Sequence, residues 1–282
     1  MTAAAATPRG VPAGSARSAR WIRRLRLYLP TIVVFIATIA LWEVAVRSRA
    51  LGGFPLPAPS QIVEALAANW ASGRWPLGRA ALATLFEAVG GLLIGTTAGV
   101  AVAFATARFG TARELLIPLA VGASAVPIIA FAPLMNNWFG VLNPLSKMMM
   151  VAVLVFFPIV VNVTRGLTQI EPAALELMRS YAASESTILR VLRIPNALPY
   201  FFTALKIAAT LSLIGAIVGE YFGGSSDVLG RVVVQSASSL RFDVTWAAIL
   251  LGAATGIAFY LVIVAIERLV IPWHASMRAH ES

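Results

Sequence analysis

The sequence predicts an all-α integral membrane protein with six transmembrane helices. Hydrophobic residues make up 59% of the 282 residues and charged residues only 12%, whereas about a quarter of the residues in a soluble domain are charged. The apolar residues fall into six runs of roughly 19 to 28 residues, each long enough to cross a ~30 Å hydrocarbon core. The chain has no cysteine and only two histidines, both near its C-terminus. We therefore expect no catalytic residue and no metal site.

The N-terminal part of the chain predicts a disordered tail and then a first span. Residues 1–19 are mainly Ala, Pro, Gly, Ser and Arg, without periodicity. Arginines interleaved with apolar residues follow, and this lead-in could also belong to a signal peptide. The apolar run over residues 28–46 is long enough to span, and no clear cleavage site follows it. In the connection after it, Ser60 is placed to cap a short amphipathic helix ending near Trp70.

The remaining chain predicts five more spans inside one membrane domain, residues 20–273, with a short tail at 274–282. Small residues on the second span predict a face for close helix packing, and prolines interrupt the third. The glycines are Gly90, Gly91, Gly95 and Gly99, and the prolines are Pro118, Pro127 and Pro133. The five spans are residues 80–107, 115–134, 145–163, 200–218 and 244–266.

The distribution of charge predicts the orientation. With six spans both termini lie on one side. A cytoplasmic N-terminus places about fourteen Lys and Arg inside and about seven outside, as the positive-inside rule prefers. This asymmetry accounts for the net charge of +10 without nucleic acid. It also places the polar segment 168–199, between the fourth and fifth spans, in the cytoplasm.

Segment 168–199 predicts two short helices with marked ends. Thr168 and Glu171 have the spacing of a capping box, and Pro172 suits the first helical turn. Ser184 is placed to cap the second helix, which Pro195 would end. A plain connection between spans needs only a few polar residues, so this segment is predicted to contact something. The alternative is a helix packed on its own bundle or lying at the lipid surface.

The same segment resembles a known family. Glu176-Leu-Met-Arg-Ser-Tyr-Ala-Ala-Ser184, followed by Arg193-Ile-Pro-Asn-Ala-Leu-Pro199, resembles the EAA loop of ABC-importer permeases of the binding-protein-dependent type. It departs from that pattern at Leu177-Met178, where the family has Ala-Ala, and at Ala182, where the family has Gly. Within the nitrate, sulfonate and taurine group, the run GEYFGG and the run ALPYFFTALKIA resemble permeases for riboflavin or the pyrimidine precursor of thiamine.

The resemblance implies a type I ABC importer permease fold and a set of partners. In such permeases the loop forms a coupling helix that docks in a cleft of a separate ATPase. The chain has no Gly-x-x-x-x-Gly-Lys-Ser/Thr loop, so the partner ATPase would bind ATP and Mg²⁺, and this chain would bind no cofactor. The implied partners are two ATPase subunits, a second permease copy or paralogue and an extracytoplasmic solute-binding protein, at the inner membrane of a bacterium. The coupling residues would be Leu175, Glu176, Met178, Arg179, Ser180, Tyr181, Ala182, Ala183, Ser184 and Pro195.

A smaller set of residues predicts a translocation pathway for a small organic solute. Prolines free backbone carbonyls that must face protein or water. Asparagine and tryptophan side chains can bind polar or heterocyclic solutes. Intramembrane carboxyl groups are costly and therefore often mark a functional site. The set is Pro127, Asn136, Asn137, Trp138, Glu87 and Glu220. Alternatively, Trp138 is an interfacial anchor and Glu87 makes a structural hydrogen bond. Lys206 is expected to snorkel to the interface, and the turn at residues 219–224 is either a docking point for a binding protein or a plain reversal.

One rival function remains on sequence grounds. An ion-coupled secondary transporter that works without an ATPase would fit the composition equally well. Such transporters often carry paired intramembrane charges and internal repeats, and the sequence indicates neither. We therefore favour the permease interpretation over this alternative.

Overall fold

The computed structural model describes residues 13–48, 56–109, 118, 122 and 127–272, with side chains from Tyr28 onward. All regular structure in these ranges is helical. A short 3₁₀ turn over Ile128–Ala130 precedes α4, and a π-helical turn over Leu189–Arg193 joins α7 to α8. The helices are α1 (Ala13–Arg47), α2 (Pro59–Ala68), α3 (Leu77–Arg108), α4 (Phe131–Phe139), α5 (Pro144–Thr168), α6 (Pro172–Ser180), α7 (Glu185–Ile188), α8 (Ile194–Tyr221), α9 (Leu229–Ser238) and α10 (Phe242–Val270).

Five helical stretches of the described chain are long and apolar enough to cross a membrane. They are Tyr28–Arg47, α3, α5, the continuous stretch Glu185–Tyr221 and α10, with mean hydropathies of 1.9 to 2.5. These correspond to the predicted first, second, fourth, fifth and sixth spans. Half of the predicted third span, residues 115–134, lies outside the described residues.

Several helix ends differ from the prediction. Helix α1 begins at Ala13, within the predicted tail, because alanine and arginine favour helix. Pro195 does not end a helix; it occupies the first turn of α8, where its missing N–H is tolerated. Helix α9 was not predicted, because ten residues with a half-polar composition resemble a loop between spans.

The structure forms two compact units, of which the first comprises residues 1–61. In this unit the Glu43 carboxylate accepts hydrogen bonds from the Ser60 backbone N–H (3.1 Å) and from the Ser60 hydroxyl (2.7 Å), and it pairs with Arg47. The prediction that the Ser60 hydroxyl caps α2 is therefore wrong. The Glu43 carboxylate of α1 caps α2 instead.

The second unit, residues 62–282, has its core where α3, α5 and α8 pack together. A Cβ added at Gly91 or Gly95 would overlap Val151 or Val155 of α5, and one at Gly99 would lie 2.9 Å from Ile159. The predicted glycine face is thus confirmed, and it lets α3 run parallel to α5 at close range. Alanines on α8, such as Ala204, Ala208 and Ala216, are fully buried on the same core.

Polar contacts also join these helices. Thr106 of α3 and Thr164 of α5 share a buried hydrogen bond of 2.9 Å. Lys206 of α8 makes a bidentate ion pair with Glu267 of α10, at 3.0 and 2.8 Å. Lys206 therefore points to a partner helix, so the prediction that it snorkels is wrong. The argument that the chain lacks paired intramembrane charges fails at the same place.

We expect Gly95→Val to destabilise the protein, because the added side chain must displace Val155 or the backbone of Ala152. Overpacking of this kind costs about 1–3 kcal/mol. The matched control is Ala98→Val, since Ala98 is exposed on the same helix. Thermal unfolding of the purified protein in detergent measures both. Equal melting temperatures for the two variants would contradict the packing described here.

We expect Lys206→Met and Glu267→Gln each to lower the melting temperature more than the double variant does. A single change leaves one charge without its partner, which costs about 3–5 kcal/mol when the pair is fully buried and less at the 25% exposure of Lys206. A double-mutant cycle on thermal unfolding measures the coupling. Strictly additive effects would show that the pair does not interact.

Candidate functional site

Helix α6 and its flanking turns are built by local sequence signals, with one difference from the prediction. Pro172 occupies the first turn of α6, as predicted, and Glu171 precedes it. Glu171 makes no side-chain cap, and the Thr168 hydroxyl instead donates to the Thr164 carbonyl (2.7 Å) at the end of α5. The predicted capping box is therefore wrong, because Thr168 still belongs to α5 and not to the start of α6.

Most side chains of α6 are exposed, and those on one side of the helix are half-buried. No residue of this helix is buried against the described part of the chain. Leu175 and Met178 are half-buried, whereas Glu176 and Arg179 are exposed. Leu177 is 57% exposed and Tyr181 is 78% exposed. The two large apolar side chains available to a partner are therefore Leu177 and Tyr181, and Leu177 was not among the predicted coupling residues.

The turn after α6 is left-handed at Ala182, the position where the sequence has alanine instead of the glycine of the family pattern. Ala182 has φ +53°, in the left-handed region. The N–H of Ala183 donates to the Met178 carbonyl (3.0 Å), and the N–H of Ala182 donates to the Arg179 carbonyl (2.9 Å). A bond that spans six residues around a left-handed residue defines a Schellman motif. Alanine thus makes the turn at a cost of about 1 kcal/mol relative to glycine.

The second half of the loop is fixed to the bundle. Ser184 caps α7, as predicted, by accepting a hydrogen bond from the Thr187 N–H (3.3 Å), and Ile188 is fully buried. Asn196, at the start of α8, donates to the carbonyls of Gly166 (2.7 Å) and Gln169 (3.0 Å) at the end of α5. The base of the loop is therefore rigid while α6 at its tip is free.

The predicted pathway residues occupy several positions in the described part of the chain. Pro127 precedes the 3₁₀ turn, Asn136 is 7% exposed, and Asn137 and Trp138 are exposed. Asn136 lies beside Gly223 in the turn after α8. An apolar cavity of about 510 Å³ lies between α3, α5 and α8, and its lining includes Thr96, Phe104 and Phe201 but none of the predicted set. The pathway assignment stays a prediction.

Glu87 and Glu220 are brought together in a buried cluster that also contains Thr84 and Lys147. Sequence analysis selected the two glutamates separately and did not single out Lys147. Lys147 is 1% exposed, in the first turn of α5. Its position inside an apolar helix is a signal that could have identified it.

Comparison with known proteins gives a consistent result. Residues 91–274 match the family model described as binding-protein-dependent transport system inner membrane component. The chain is 30% identical to a probable ABC transporter permease protein of Haemophilus influenzae, over 84% of this chain and 94% of that protein. It is 30% identical to the formylaminopyrimidine transport permease protein of Halalkalibacterium halodurans, over 86% and 95%. It is 26% identical to the riboflavin transport system permease protein of Chloroflexus aurantiacus, over 86% and 90%.

One solved structure is similar in fold. A bacterial ABC transporter involved in the import of the acidic polysaccharide alginate contains a chain that superposes with a TM-score of 0.57. The match covers 89% of this chain and 99% of that chain, at 13% sequence identity. At this identity the likeness concerns the fold alone.

We expect Ala182→Gly to raise the melting temperature of the purified protein. Glycine adopts φ +53° without the steric strain of a Cβ, so the gain is up to about 1 kcal/mol. The control is Ala183→Gly, next to it, where φ is not positive and glycine only adds flexibility to the unfolded chain. An increase with both variants, or with neither, would argue against strain at Ala182.

Proposed function

The chain belongs to the binding-protein-dependent transport system inner membrane components, a family of ABC transporter permeases, and from this premise we propose that α6 couples it to a separate ATPase. The observation that carries the proposal is the exposure of α6 on a rigid base. A helix with no buried residue contributes nothing to its own core. Helices of this kind are stable when a partner covers them.

The chemistry of α6 suits a protein cleft. Tyr181 and Leu177 supply large apolar side chains, which act as anchors in the desolvated centre of interfaces. Glu176 and Arg179 flank them and would lie at the rim, where charges select the partner and its orientation. Leu175 and Met178 are half-buried, so they contact the chain itself and are less available to a partner.

The loop is built to transmit movement. The Schellman turn at Ala182, the cap at Ser184 and the bonds from Asn196 fix the tip of the loop relative to α5 and α8. The helical stretch Glu185–Tyr221 continues from the loop through the bundle. A displacement of α6 would therefore move α8 as a rigid body rather than deform the loop.

The remaining partners and the cargo follow from the family. The proposed assembly contains two ATPase subunits that bind ATP and Mg²⁺, a second permease copy or paralogue and an extracytoplasmic binding protein, with the termini of this chain in the cytoplasm. The relatives carry names for riboflavin, formylaminopyrimidine and taurine transport. The cargo proposed for this chain is accordingly a small organic solute, which passes through without chemical change.

An ion-coupled secondary transporter is the alternative, and the buried ion pair of Lys206 with Glu267 is the observation in its favour. The two functions differ in one experiment. A secondary transporter reconstituted alone in liposomes transports solute when an ion gradient is imposed. A permease subunit transports solute only with its ATPase, its binding protein and ATP. Transport by the isolated chain would overturn the permease proposal.

We expect Tyr181→Ala and Leu177→Ala each to weaken binding of the ATPase at least tenfold, because central anchors account for most of the binding energy of an interface. Leu142→Ala is the matched control, since Leu142 is 72% exposed and precedes the opposite end of α5. Affinity is measured by titration of the ATPase onto the reconstituted permease, and melting temperature confirms folding.

The double charge reversal Glu176→Arg with Arg179→Glu extends the same test, with Glu64→Lys on α2 as the control. We expect the reversal to lower ATP-driven transport and leave the melting temperature unchanged, because both side chains are exposed. Unaltered assembly and transport in all the α6 variants would refute coupling through this helix.

A further inference from the structure

Four helices meet at a polar cluster inside the second unit. Thr84 and Glu87 come from α3, Lys147 from α5 and Glu220 from α8, and α9 begins against them. Thr84 and Glu220 are fully buried, Lys147 is 1% exposed and Glu87 is 5% exposed. Buried ionisable groups in a membrane protein are costly, so the arrangement of these groups requires an explanation.

The cluster caps the start of α9. Val228, which precedes the helix, provides no side-chain cap. The N–H of Leu229 donates to the Thr84 hydroxyl oxygen (2.9 Å), and the N–H of Gly230 donates to Oε2 of Glu220 (2.7 Å). The helix N-terminus also carries positive partial charge. Thr84 and Glu220 thus supply the acceptors that the first turn of α9 does not find in its own sequence.

The Glu87 carboxyl group lies one helical turn after Thr84 on α3 and faces Glu220 in the same buried cluster. Two ionised carboxylates have only acceptor oxygens, so neither can donate a hydrogen bond to the other. Oε2 of Glu87 and Oε1 of Glu220 receive no hydrogen bond from any N–H or O–H group of the described chain. A proton between the carboxyl groups supplies the missing donor. Because Glu220 already accepts the Gly230 N–H, the proton belongs to Glu87.

No cation in the described residues forms an ion pair with Glu87 or Glu220. The ion pairs in this part of the chain are Arg47 with Glu43, Lys206 with Glu267 and Arg241 with Asp243. Lys147 Nζ donates to the carbonyl of Val141. The other charged group facing the cluster is Arg231 of α9, which is half-buried. Lys147 and Arg231 face the cluster, but neither forms an ion pair with Glu87 or Glu220, so neither supplies the donor that the two carboxyl groups lack.

We propose that Glu87 and Glu220 form a proton-binding site, in which one retained proton on Glu87 holds α9 against α3 and α8. Loss of this proton to solvent would leave two adjacent buried carboxylates, which repel each other. Their separation would pull Glu220 away from the N-terminus of α9. The site does not depend on the proposed coupling of α6 to an ATPase.

Infrared spectroscopy tests for the proton directly. A protonated carboxylic acid has a C=O stretching band apart from those of carboxylates and amides. At neutral pH we expect this band in the wild-type protein in nanodiscs, its loss in Glu87→Gln and its retention in Glu64→Gln, a change of an exposed residue on α2. Absence of the band in the wild type, or its persistence in Glu87→Gln, would overturn the proposal.

Stability provides a second, independent measurement. Glutamine at position 87 retains a donor for Glu220, so Glu87→Gln should unfold at nearly the wild-type temperature, whereas Glu220→Gln should unfold markedly lower. Equal destabilisation by the two substitutions would contradict a proton on Glu87.

Discussion

The close approach of α3, α5 and α8 is the constraint on which the rest of the second unit depends. Glycines of α3 lie directly on valines and an isoleucine of α5, and alanines of α8 complete the contact. In a membrane, lipid is as apolar as the helix surfaces, so association rests on close packing and on polar contacts rather than on removal of apolar surface from water. This packing fixes α5 and α8 as neighbours along their whole length. The loop between them therefore starts and ends at the same rigid base.

Polar groups at helix ends are satisfied by other helices rather than by their own sequence neighbours. Glu43 of α1 caps α2, and Thr84 and Glu220 together cap α9. The same holds for Asn196, which binds two carbonyls at the end of α5. In a bundle with little water, leaving a backbone N–H or C=O without a hydrogen bond costs roughly several kcal/mol of folding free energy. These contacts consequently determine where the short helices lie.

The two ends of the core differ in chemistry and in exposure. At one end, α6 displays Leu177 and Tyr181 on a strained but well-hydrogen-bonded turn. At the other end, the Glu87–Glu220 pair is sealed beneath α9, and a single proton accounts for its hydrogen bonding. The helices α5 and α8 reach both ends, since Lys147 and Glu220 lie near one and Arg165 and Asn196 near the other. Each of these two helices therefore connects the end that displays α6 with the end that holds the glutamate pair.

The sequence by itself determined the membrane class, five of the spans, the glycine face and the position of the loop, because hydropathy, small-residue spacing and helix caps are local properties. The cap at Ser184 and the helix start at Pro172 were predicted correctly for this reason. Comparison with known proteins confirmed the family that the loop resembles. Only the tertiary structure decided that Lys206 pairs with Glu267, that Glu43 rather than Ser60 caps α2, and that Glu87 meets Glu220. Each of these contacts joins residues far apart in the chain. No local pattern encodes them, because their partners are chosen by which helices pack side by side.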